Sequence, residues 1–171
     1  MITEDPIIAY FERIAGAHHI LKHDIEGARS FFSVEDPDEL SNFDEALRSM
    51  TSDVAFLTCA MEGELEDNGS ENHVQSIDLQ VFVVRRIGTG VSIASCRTEC
   101  LEILTQLLGR TKRDARTPGG VIPGKKVEFN IAGVPVKKVG PMNMEWYGYT
   151  AFLRFSCPFG YTVDSGTWSD I

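Results

Sequence analysis

Two long alternating runs joined by one turn signal constrain the fold of this chain most tightly. Val54–Met61 reads as a strand and continues to about Leu65, with Glu62, Glu64 and Glu66 alternating in. From His73 to Ile87 the alternation is plain: Ile77, Leu79, Val81 and Val83 fall on one face, Asp78 and Gln80 on the other. Between them Asp67-Asn68-Gly69-Ser70 is a turn, because Asn-Gly readily takes positive φ. Two such runs satisfy their backbone groups by pairing, so a long hairpin over 54–87 is expected. Its apolar face then needs a cover.

The flanking segments supply covers. Thr3 can cap a first helix, Glu4 and Asp5 suit its first turn, and Pro6 suits an early helical position. Ile7, Tyr10, Phe11 and Ile14, extended by Ala17 and Leu21, then make one apolar stripe. Asp24–Ser33 carries no clear pattern beyond Phe31 and Phe32 as packing anchors. Asp36-Pro37-Asp38-Glu39 starts a second helix with Leu40, Phe43, Leu47 and Met50 on its apolar side. Gly88-Thr89-Gly90 ends the hairpin. A third helix over 91–109 follows, built on Ile93, Cys96, Cys100, Leu101, Ile103, Leu104, Leu107 and Leu108, with Gly109 as C-cap. Residues 110–126 read as a basic loop. A second hairpin is expected from Lys125–Ile131 and Val134–Val139, then a long aromatic strand from Trp146 to about Val163, and a loosely held tail at 165–171. The fold class is α+β: one mainly antiparallel sheet with two hairpins, packed with about three helices on a face, in the order α-α-β-β-α-β-β-β. The whole of 1–171 is expected to be a single domain.

Charge divides the same chain in two. Residues 1–78 hold 18 Asp/Glu against 4 Lys/Arg, and residues 79–171 hold 7 against 12; the resulting −14 and +5 make the net charge of −9. Complementary halves suit head-to-tail contact between copies, and a net negative field opposes DNA wrapping. The interface candidates are the basic residues Arg110, Lys112, Arg113, Arg116, Lys125 and Lys126 and the acidic Glu62, Glu64 and Glu66. The basic set could meet the acidic half of a neighbour or passing phosphates; a solvated loop accounts for it equally simply.

No motif supplies a reaction. Gly119-Gly120-Val121-Ile122-Pro123-Gly124-Lys125 matches the spacing of a phosphate-binding loop, but Lys126 stands where Ser or Thr should hold magnesium. A helix precedes that loop and a strand follows, the reverse of the required context. Gly88-x-Gly90 lacks the third glycine of a dinucleotide site. Cys59, Cys96, Cys100 and Cys157 lack zinc-ligand spacing and read as small hydrophobes. His19 and His23, four apart near the end of the first helix, have a metal-competent spacing, and solvated or packing histidines explain them too. There is no nucleophile elbow, and the glutamates do not match a calcium loop. No cofactor, metal or catalytic residue is assigned. The N-terminus has no secretory pattern, and apolar runs such as Val81–Val84 fall far short of a membrane span. A cytosolic protein is the default.

Taken together, the stretches Pro6–Leu21, Val54–Ile87, Ser92–Leu108 and Trp146–Phe155 resemble, in order and size, the tail terminator and tail-completion proteins of tailed bacteriophages. The acidic helix near 37–50 departs from that layout. The resemblance implies a non-enzymatic virion part: a ring, commonly a hexamer, that ends the tail tube and joins it to head or neck proteins. DNA would pass through an acidic lumen without specific binding, and the protein would move from cytoplasm to virion tail. Two other readings compete. One is a small-molecule or peptide-binding domain with Trp146, Tyr147, Tyr149 and Trp168 around a pocket. The other is a metal-assisted enzyme using His19 and His23.

Overall fold

The expected hairpin forms and is the spine of the molecule. In the computed structural model, which describes residues 3–34, 40–67 and 73–160 and leaves aside the side chains of residues 40, 41, 60 and 61, nine elements follow in the order α1 (Glu4–Ala17), β1 (Phe31–Val34), α2 (Leu40–Ser49), β2 (Val54–Asp67), β3 (His73–Arg86), α3 (Ile93–Ala115), β4 (Glu128–Phe129), β5 (Val136–Met142) and β6 (Trp146–Phe159). The second helix start at 36–39, the turn at 68–70 and the tail at 165–171 lie outside the described residues, as does Trp168.

The strands form one six-stranded sheet, ordered β1-β2-β3-β6-β4, with β5 also paired to β6. β2 pairs antiparallel to β3, and β3 pairs antiparallel to the whole of β6. β1 adds in parallel to β2, matching Phe32 to Leu57, so the sheet is mainly antiparallel but mixed. Only four residues long, β1 carries too little alternation to be read from sequence. The expected pairing of 125–131 with 134–139 does not form. β4 and β5 lie end to end along the same side of β6, at Phe155–Ser156 and at Trp146–Ala151 respectively. The second hairpin is therefore β5–β6, turned through Asn143 and Met144 at φ 41° and 66°.

Alternation distributes the apolar residues to two cores. One face packs α1 and α3 on Phe56, Leu79, Val81, Val83, Leu153 and Phe155. The other packs α2, through Phe43, Ala46 and Leu47, on Leu57, Phe82, Val84 and Trp146. The helices thus cover both faces, not one. The acidic helix near 37–50, seen as α2, is what covers the second face. α1 and α3 run antiparallel, linked by Tyr10 Oη donating to Asp114 Oδ2 at 3.2 Å and by a 2.9 Å bond between His18 Nε2 and Gln106 Oε1.

α3 starts where Ser92 Oγ accepts from the Ser95 N–H at 3.1 Å, and it runs on past Gly109 to Ala115. Gly109 is not a C-cap; a Cβ there would meet open space, so nothing in its surroundings demands a turn. Thr3 occupies the N-cap position of α1 without a side-chain cap bond.

Candidate functional site: two sheet edges of opposite charge

Among the described residues no further strand pairs on either side of the sheet, and the two sides are chemically unlike. Along one side run β1 and then the outer half of β2; along the other run β5 and then β4. Glu62, Glu64, Glu66 and Asp67 stand exposed on the first. Lys126, just before β4, and Lys137 and Lys138, on β5, stand exposed on the second, with Lys125 beside them and Glu128 as the acid on β4. Four acids of the acidic half and four lysines of the basic half thereby come to opposite edges of one sheet.

A β-bulge builds the acidic edge. The β2–β3 register shifts between Ala60 and Gly63, which leaves Glu64 and Glu66 on the α2 face. At Gly63 a Cβ would lie 2.6 Å from the Ser76 carbonyl oxygen, so only glycine fits this close approach. Arg154 of β6 gathers the acids on that face. It donates to both oxygens of Asp78, at 2.7 and 2.9 Å, and stands 3.7 and 4.0 Å from Glu64 and Glu66. The Asp78 carboxylate raises the Arg154 guanidinium above its already high ordinary value. Glu62 makes no ion pair among the described residues. The alternation expected for Glu62, Glu64 and Glu66 holds for the two whose partner is seen.

The predicted basic loop is not one unit. Arg110, Lys112 and Arg113 belong to the last turns of α3 and Arg116 is its C-cap. Arg110 Nε donates to Asp114 Oδ2 at 2.6 Å and Arg113 Nε to Asp114 Oδ1 at 3.4 Å. Burial pushes the Asp114 carboxyl up, but Arg110, helped by Arg113 and the Tyr10 hydroxyl, outweighs it and holds the group below its ordinary value. Burial in turn pushes the Tyr10 hydroxyl up to about 12. Arg110 and Arg113 are therefore partly spent inside the molecule. Lys126 sits 4.0 Å from Glu128, a weak and exposed contact. Lys112 and Arg116 make no ion pair among the described residues.

Residues 119–126 are a plug, not a phosphate cradle. Val121 and Ile122 are buried in the core of the α1/α3 face. The amides of Gly119, Gly120 and Lys125 donate to Lys125, Thr117 and Ile122 carbonyls of the loop itself. Those donors are no longer available to an anion. The histidine pair also dissolves: α1 ends at Ala17, so His19 and His23 do not share a helical face. His23 Nδ1 accepts from the Ser30 and Phe31 N–H groups, both at 3.2 Å, leaving Nε2 toward Glu12 Oε1 at 3.6 Å. It anchors the entry to β1. Cys96 and Cys100 are buried, and burial, with Cys96 nearby, pushes the Cys100 thiol up to about 12; such a thiol is a poor nucleophile and metal ligand.

Trp146 does not line a pocket either. It is fully buried, with Arg86 stacked 4.8 Å from its ring centre. A different cleft, of about 440 Å³, opens on the α2 face. Phe43 and Asp44 of α2 wall one side, Gln80 and Phe82 of β3 floor it, and Val139, Pro141, Met142 and Asn143 wall the other. Phe43 and Phe82 meet edge to face at 5.0 Å. The sequence reading missed Lys137, Lys138 and this cleft. The two lysines were visible as an adjacent pair in a strand, but only the strand order makes that strand an edge.

No family model matches this chain, and the search of curated proteins finds no match.

Proposed function

We propose that this protein is a non-enzymatic assembly subunit whose copies join head to tail, edge to edge, into a ring, the role of a phage or prophage tail part that ends or joins the tail tube. The observation that carries the reading is the pair of oppositely charged edges, on which no further strand pairs among the described residues. β1 and β2 run one way; β4 and β5, both antiparallel to β6, run the other. A second copy in the same orientation therefore sets β1 and β2 antiparallel to β5 and β4 of the first. Register supports this too: Phe32, Leu57, Phe82, Thr150 and Lys137 lie on one line across the sheet, so the two short edges sit at one height.

Exposed lysines on an edge strand normally discourage pairing. Here they discourage it selectively. Two basic edges repel, as do two acidic ones, whereas the mixed contact is attractive; charge rejects the isologous dimer and admits the heterologous contact that closes a ring. Partners beyond the chain itself, on this reading, are tail-tube and neck proteins.

Light scattering after gel filtration, at low and high salt, tests the proposal. A ring of several chains that loosens as salt rises is expected, because exposed charges are screened beyond about 8 Å at physiological ionic strength. A monomer at every salt and concentration sinks it. The 440 Å³ cleft favours a second reading, a small-molecule or peptide-binding domain, since apolar clefts of roughly 300–1,000 Å³ with a few polar groups are typical ligand sites. A ligand-induced rise in melting temperature of the monomer would support that instead.

A further inference from the structure

The edges differ in shape as well as charge, and the difference falls on the α2 face. On the acidic side Phe32 is 38% exposed although it lies in a strand. Its neighbour across the sheet is Leu57, a member of the α2-face core, so its ring emerges on that face. It lines a small hollow with Val34, Asn42 and Glu45. On the basic side, Val139 and Pro141 form the outer wall of the apolar cleft, and Lys137 lies over the Phe152 ring at 5.4 Å, which puts Lys137 on the α2 face as well. One edge thus offers an exposed aromatic beside an acid, at the same height as an apolar wall beside a base on the other.

We infer that the α2-face wall of the cleft is an acceptor for a second copy of this chain: Phe32 of one copy packs on Val139 of the next, with Glu45 paired to Lys137 beside it. This rests on the edge-to-edge reading and assigns its junction. Residues facing each other across antiparallel strands have Cβ atoms about 5 Å apart, and diagonal ones about 7–8 Å, within reach of an aromatic ring. Phe32 is level with Lys137 in the register and Val139 is the diagonal position on the same face. The junction would remove an exposed phenyl group and the open side of the cleft from water together, an apolar gain beside the charge pairing.

The test uses the full chain, with mass by light scattering over a dilution series and melting temperature as the check on folding. Phe32→Ala is expected to raise the concentration at half-assembly about tenfold or more, with little change in melting temperature. Lys137→Glu is expected to weaken assembly alike, and adding Glu45→Lys in the same chain to restore it to within about threefold of the parent. If the parent assembles but Phe32→Ala assembles equally well, or Glu45→Lys fails to rescue Lys137→Glu, this junction is wrong while edge pairing by other contacts stands. A parent chain that stays monomeric overturns both.

Discussion

At the scale of single residues, Asp114 shows how a charge is held inside an otherwise apolar contact. Its side chain is 12% exposed and is met by Arg110, Arg113 and Tyr10 from two helices. Its carboxyl is held below the ordinary value of 3.8. The stability it contributes is fully present above that value and is lost as pH falls through the lower folded value. Asp114→Asn is therefore expected to cost about 1–3 kcal/mol at pH 7 and to flatten the acid limb of a melting-temperature profile. An unchanged profile would remove the network from the account. Met144 shows the opposite situation. It is 90% exposed and holds φ 66° at the β5–β6 turn, a left-handed conformation that costs a non-glycine residue roughly 1–2 kcal/mol. Gly disorders the unfolded chain more, which offsets part of the relief, so Met144→Gly is expected to stabilise by up to about 1 kcal/mol in chemical denaturation.

At the scale of elements, register decides which side chains meet. The bulge at Gly63 sets Glu64 and Glu66 beside Arg154, and a slip of one residue would send them to the α1/α3 face. Gly63→Ala is expected to cost about 1–3 kcal/mol and to loosen the acidic edge, which amide exchange of residues 63–67 would report; protection equal to the parent's would contradict it. The hairpin of β2 and β3 was readable because both runs alternate with period two over many residues. β1 and β4, four and two residues long, carry no period to detect. The mispairing of 125–131 with 134–139 has a related cause. Adjacent strand-like segments with a glycine turn suggest a hairpin, yet β6 offers both a longer partner, and each pairs with it instead. Gly109 misled for a similar reason: a glycine ends a helix only where the chain must turn, and here the buried stripe continues through Leu107 to Thr111.

For the whole molecule, acids of the first half and lysines of the second lie at opposite edges of one sheet, and exchange of charge is the sharpest check. A chain with Lys125, Lys126, Lys137 and Lys138 changed to Glu, and another with Glu62, Glu64 and Glu66 changed to Lys, should each fail to assemble with copies of itself. Mixing the two pairs the acidic edges of the first with the basic edges of the second, so partial co-assembly is expected in native mass measurements. Strong self-assembly of either variant would refute edge complementarity. The sequence by itself determined the α+β class, the central hairpin, most of the apolar faces of three helices (Ile93 and Leu101, expected on that of α3, stand exposed) and the separation of charge, because periodicity and composition are local properties. The tertiary structure alone decided that α2 covers the second face, that β4 and β5 share one side of β6, and that Lys137, Lys138 and Phe32 lie on edges. Those facts depend on which distant segments pair, and pairing is chosen by the burial of whole faces at once, not by any residue's own preference.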